Sequence, residues 1–91
     1  MVTAIVLVNV EHGQFDRIAE ALVALKGVTE VYSVAGSFDL VAILRTPNNE
    51  GIADIVTHRI LAVPGITQTQ TLMAFKVYSS FDLERMFSIG A

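Results

Sequence analysis

At 91 residues, with a net charge of −3 and no cysteine, the chain reads as a single domain without a disulfide scaffold or a thiolate metal site. Its six cations, Arg17, Lys26, Arg45, Arg59, Lys76 and Arg85, stand singly, which leaves no cationic run to track a phosphate backbone and argues against direct nucleic-acid binding. Hydrophobic residues make up 53% of the chain and charged residues 16%, a balance with more apolar surface than a small monomer exposes comfortably, so an oligomer is expected.

Residues 4–10 (Ala-Ile-Val-Leu-Val-Asn-Val) are β-branched and almost continuously apolar, which predicts a central strand. The run is too short for a membrane span and has no Lys or Arg before it, so neither a membrane segment nor a secretory leader is expected, and the cytoplasm is the expected compartment. Gly13 breaks the run, and over residues 14–26 Phe15, Ile18, Leu22 and Leu25 recur at steps of three and four, an amphipathic helix ended by Gly27. Residues 28–35 alternate, with Glu30, Tyr32 and Val34 opposed to Val31 and Ser33. A second apolar run over residues 40–44 follows the turn Gly36-Ser37-Phe38-Asp39, predicting a hairpin. Pro47, Asn48 and Glu50 supply a stop, a cap and a first-turn acid for a second helix striped by Ile52, Ile55, Val56 and Ile60, which Pro64-Gly65 closes. Residues 66–77 alternate again as a last strand, Gln68, Gln70, Leu72 and Ala74 against Thr69, Thr71, Met73 and Phe75.

The order βαββαβ predicts an α+β, ferredoxin-like sandwich, both helices on one face of the sheet and the first and third strands at its centre. The halves echo each other: Ile5, Ile18, Leu22, Gly27 and Val28 have counterparts at Ile43, Val56, Ile60, Gly65 and Ile66, each 38 positions later. Both central strands are apolar on two faces and helices cover one, so a second sheet is expected on the other, most simply that of a second copy. Val6 and Ala42 are taken as test positions for that face. Residues 1–78 form the domain, and residues 79–91 a tail whose Leu83, Met86 and Phe87 fit a short docking helix.

Gly36-Ser37-Phe38-Asp39, the Pro64-Gly65 corner and the pair Thr69 and Thr71 resemble the effector-binding domain of the Lrp/AsnC transcription regulators, over about residues 3–77. The resemblance implies a stand-alone amino-acid-sensing and oligomerisation module without the family's helix-turn-helix, acting on transcription indirectly and without catalysis or a cofactor. It implies dimers through the sheet faces, in the manner of a dimeric α/β barrel, and larger rings such as octamers, with full-length Lrp/AsnC regulators as possible co-assembly partners. It further implies an effector site at Gly36, Ser37, Phe38, Asp39, Thr69 and Thr71, lying between dimers. Asp39 would receive the α-ammonium, backbone N–H groups around Gly36 and Ser37 the carboxylate, and the threonines would add hydroxyls. Phe38 stands where the family often has tyrosine.

On the residues alone, a Gly-x-x-Asp turn is a hairpin in which the aspartate caps backbone groups. Two other function classes stay open. One is a small cofactor-free monooxygenase or isomerase of the dimeric ferredoxin-like type, with His12, His58 or Tyr32 as candidates and a pocket between sheet and helices. The other is an assembly module with no ligand. His58 lies one turn after Asp54, a spacing that fits a weak helix pair better than a metal site.

Overall fold

A computed structural model describes residues 1–78 and Ser80, so the expected tail helix over residues 81–87 lies outside the described residues. The elements are β1 (Val2–Val10), α1 (Phe15–Val23), β2 (Val28–Ser33), β3 (Leu40–Thr46), α2 (Asn49–Asp54) running on into a π-helical turn (Ile55–Ile60), and β4 (Ile66–Ala74). The strands form one sheet in the order β2-β3-β1-β4, each neighbour antiparallel. This is the ferredoxin-like arrangement, with the two most apolar strands at the centre as the crossover rule requires.

Element ends fall where partners run out. β1 starts at Val2 because the ladder continues through Val2↔Thr46 and Thr3↔Arg45. β4 stops at Ala74, opposite Thr3, three residues short of the alternation in the sequence. α1 stops at Val23, and the Leu25 and Val28 amides close turns onto the Leu22 and Leu25 carbonyls on the way into Gly27.

The core lies between sheet and helices: Ala4, Val6 and Val8 of β1 and Leu40, Ala42 and Leu44 of β3 pack with Ile18, Leu22, Ile52, Ile55 and Ile60. Val6 and Ala42 are both 0% exposed, which corrects their use as markers of the uncovered face. Alternation separates the two faces of a strand without saying which one the helices take. Here the helices cover Ala4, Val6, Val8, Leu40, Ala42 and Leu44, and Ile5, Leu7, Val41 and Ile43 point the other way. Leu72, opposite Ile5 on β4, extends that uncovered face and is 42% exposed. Phe15, at the first turn of α1, is 39% exposed and so stands at the edge of the core.

The internal echo is physical. Ile5 and Ile43 face each other across the sheet centre. Gly27 and Gly65 share φ of +97°, a backbone conformation that favours glycine. A Cβ on Gly27 would stand 2.5 Å from Ile55 Cδ1, and one on Gly65 2.9 Å from Ile18 Cδ1, so each corner is overlaid by the helix of the other half. The sequence offset pairs Ile18 with Val56, but Ile55 makes the contact, because the π turn shifts the second helix by one residue.

Candidate functional site

The two sequence signatures meet at one place, the carboxyl end of β1. β3 begins opposite Val8, and residues 34–39 pass over the end of that strand. The Asp39 amide donates to the Val8 carbonyl at 3.0 Å, and the Val34 amide donates to the Asp39 carbonyl at 3.1 Å. The β1–β4 register shifts between Asn9 and Val10, and at that break Asp39 Oδ2 accepts the Val10 amide at 2.9 Å. Asp39 is therefore a cap, as the turn reading expected, but for a strand 29 positions away rather than for its own turn. Gly36 has φ of +136° with no atom within 4 Å of a Cβ built on it, so its requirement is the backbone conformation and the space beside it is open. Ser37 is exposed and Phe38 half-buried.

The Pro64-Gly65 corner is tied to the same end. The Glu11 amide donates to the Gly65 carbonyl at 2.8 Å. Arg17 Nη2 donates to the Pro64 carbonyl at 2.8 Å while its Nε donates to Gln14 Oε1 at 2.9 Å. From this corner β4 carries Thr69 opposite Val8 and Thr71 opposite Val6, both half-buried and on the helix-covered side. Asp39 and Thr69 thus flank β1 from opposite sides, two strand spacings or about 10 Å apart. Thr71 opens instead into a cavity of about 650 Å³ between α2 and β4, walled by Ile52, Val56 and Met73, whose lining includes neither Asp39 nor Thr69. One chain brings the six residues to one end and one edge of the sheet without closing them into a single pocket.

The candidates for catalysis are dispersed. His12 is exposed in the loop after β1. His58 Nδ1 lies 3.3 Å from Asp54 Oδ1, and Arg59 Nε lies 3.3 Å from Asp54 Oδ2, an exposed helix-surface group of the kind its spacing suggested. Among the described residues no three His, Asp or Glu side chains are placed to hold a metal. Tyr32 stands on the uncovered sheet face, where its hydroxyl donates to Glu30 Oε2. That hydrogen bond and the carboxylate charge raise the phenol above its ordinary pKa. Arg45 completes the group, Nη1 donating to Thr29 Oγ1 at 2.9 Å and lying 3.6 Å from Glu30 Oε1. Sequence reading placed Glu30 and Tyr32 on one face and missed Arg45, because only the β2–β3 register, Glu30 against Ile43, brings it alongside. Among the described residues no helix is long and apolar enough to cross a membrane.

Residues 3–82 match the family model described as the Lrp/AsnC ligand binding domain. The HTH-type transcriptional regulator FL11 of Pyrococcus furiosus is 29% identical over 77 residues, 85% of this chain and 50% of FL11, so the chain spans about half the length of the curated relatives it matches. The solved structure of TTHA0845 from Thermus thermophilus is 42% identical with a TM-score of 0.82, over 87% of this chain and 99% of that one. The transcriptional regulator NMB0573 of Neisseria meningitidis, solved as its L-Met complex, shares the fold at 16% identity and a TM-score of 0.72, over 93% of this chain and 58% of that one.

Proposed function

The chain belongs to the Lrp/AsnC ligand binding domain family, and on that footing we propose that it is an amino-acid-sensing and oligomerisation module that acts on transcription indirectly, in the cytoplasm. The observation that carries this reading is the convergence at the end of β1. The Gly36–Asp39 turn and the Pro64-Gly65 corner are hydrogen-bonded to the same stretch, Val8, Val10 and Glu11, so a ligand that moves either one acts on both.

In this reading Asp39 keeps Oδ2 on the Val10 amide and offers Oδ1 to the effector's ammonium, while the open backbone at Gly36 and Ser37 receives its carboxylate. Phe38 packs beside the effector, and Thr69 and Thr71 contribute hydroxyls from the edge strand. Because Asp39 and the threonines stand on different sides of β1, a second copy completes the site. The L-Met complex of the Neisseria relative supports an amino acid as the effector class. Pairing uses the uncovered face of Ile5, Leu7, Val41 and Ile43, and pairs build into larger rings, alone or with full-length regulators of the family. The effector shifts that assembly only by binding its states with different affinity.

The test is a panel of the twenty amino acids against the native chain and Asp39→Asn, read by calorimetry. Asparagine can still accept the Val10 amide but carries no charge for an ammonium. The native chain is expected to bind at least one amino acid, and Asp39→Asn to weaken it at least tenfold. Unchanged binding in the variant would remove Asp39 from the site, and binding of none of the twenty would favour the ligand-free assembly module.

A further inference from the structure

We propose that the uncovered sheet face carries a second small-molecule site, for a small apolar monocarboxylate, at the end of the sheet away from Asp39. A concavity of about 650 Å³ lies there, floored by Ile5 and Ile43, with the largely exposed Phe75 and Val77 at its margin and Tyr32, Glu30, Arg45 and Lys76 as its polar rim. Apolar walls with a few convergent polar groups at one side are the usual form of a small-ligand site. Arg45 and Asp39 stand at opposite ends of β3, about 20 Å apart along the strand, so this hollow is distinct from the proposed effector end.

The rim selects the ligand's charge. Tyr32 donates its hydroxyl proton to Glu30 Oε2, and Arg45 Nη1 faces Glu30 Oε1. Part of the acceptor capacity of Glu30 is thereby engaged and its charge is offset by Arg45, which makes it a poorer partner for a ligand ammonium than a free carboxylate would be. Among the described residues the hydrogen bonds of Arg45 use Nη1, so Nε and Nη2 remain as a planar pair of donors suited to a carboxylate. Lys76, held with its ammonium 5.1 Å from the Tyr78 ring centre, adds a second cation. Arg45 and Lys76 against Glu30 leave one net positive charge, which a monoanion neutralises, while the Ile5 and Ile43 floor takes an apolar body. The inference rests on the pairing reading in one respect: a second copy seated on this face encloses the hollow between two sheets and excludes water, which strengthens the ion contact.

The probe is phenylacetate, with phenylacetamide as its uncharged counterpart, titrated into the full chain and followed on the Ile5 and Ile43 methyl signals by NMR while light scattering records mass. Phenylacetate is expected to bind saturably and shift both isoleucines, and phenylacetamide to bind at least tenfold more weakly. Arg45→Gln should weaken the acid at least tenfold and leave the amide unchanged, and Lys76→Gln, on the exposed segment after β4, should weaken the acid severalfold without touching the fold. Equal affinity for acid and amide, shifts at the Asp39 end instead, or no saturable binding would overturn the site. A chain that binds phenylacetate as a monomer would uphold it and overturn only the pairing reading.

Discussion

Asp39 Oδ2 is committed to the Val10 amide at 2.9 Å, and that bond decides what a substitution there reports. Asp39→Ala leaves a half-buried amide without its acceptor and is expected to cost about 1–3 kcal/mol in chemical denaturation. Asp39→Asn keeps an acceptor and should cost under about 1 kcal/mol, so a binding loss in it is a loss of charge and not of fold. The capping role of Asp39 was legible in a Gly-x-x-Asp turn. Its partner was not, because Val10 reaches it only through the pairing of β1 with β3. Tyr32 gives a second prediction at this scale. Its hydrogen bond from hydroxyl to Glu30 favours the protonated phenol, so whatever stability it lends the fold is present below the unfolded tyrosine pKa of about 10 and is lost as pH rises through the higher folded value. In an NMR titration Tyr32 should ionise above the ordinary range in the native chain and return towards it in Glu30→Ala. Equal midpoints would mean the bond does not persist in solution.

The second helix shows what local sequence specifies and what packing adds. Asn48 was readable as its cap, and Asn48 Oδ1 does accept the Gly51 amide at 2.9 Å. By propensity alone Gly51→Ala within α2 would stabilise by up to about 1 kcal/mol. A Cβ there, however, stands 2.8 Å from Thr46 Cβ and 3.0 Å from Thr46 Oγ1, and Thr46 is 5% exposed with its hydroxyl donating to the Asn48 carbonyl. We expect Gly51→Ala to destabilise by about 1–3 kcal/mol; a gain would show that α2 can lift away from Thr46. The π turn was not legible. Ile55 and Ile60 are both buried at a spacing of five, while the sequence stripe read equally well as an ordinary helix through Val56. What selects the π turn is the docking of Ile55 under the Gly27 corner, a contact between the two halves.

At the scale of the whole molecule, the order of elements, the sheet centre and the single helix-covered face follow from periodicity and crossover handedness, and the sequence carried all three. Which face the helices cover did not follow, and so Val6 and Ala42 were misplaced. Val6→Lys puts a charge into a fully buried core position and is expected to unfold the chain, seen as loss of its circular dichroism transition. Ile43→Lys lies on the uncovered face and should leave the fold intact while halving the mass of the pair. An unchanged mass for a folded Ile43→Lys would remove that face from the interface. The Gly36–Asp39 turn and the Pro64-Gly65 corner were legible as two signatures, and the fold ties both to the carboxyl end of β1. The separation of Asp39 from Thr69 was not legible, since only the strand order puts them on opposite sides of β1. The most direct measurement is therefore absolute mass in solution, by native mass spectrometry, with and without each of the twenty amino acids. Even multiples of the chain whose distribution changes with at least one amino acid in the native chain, and with none in Asp39→Asn, are the predicted result. A monomer, or an assembly indifferent to all twenty, would contradict the sensing module.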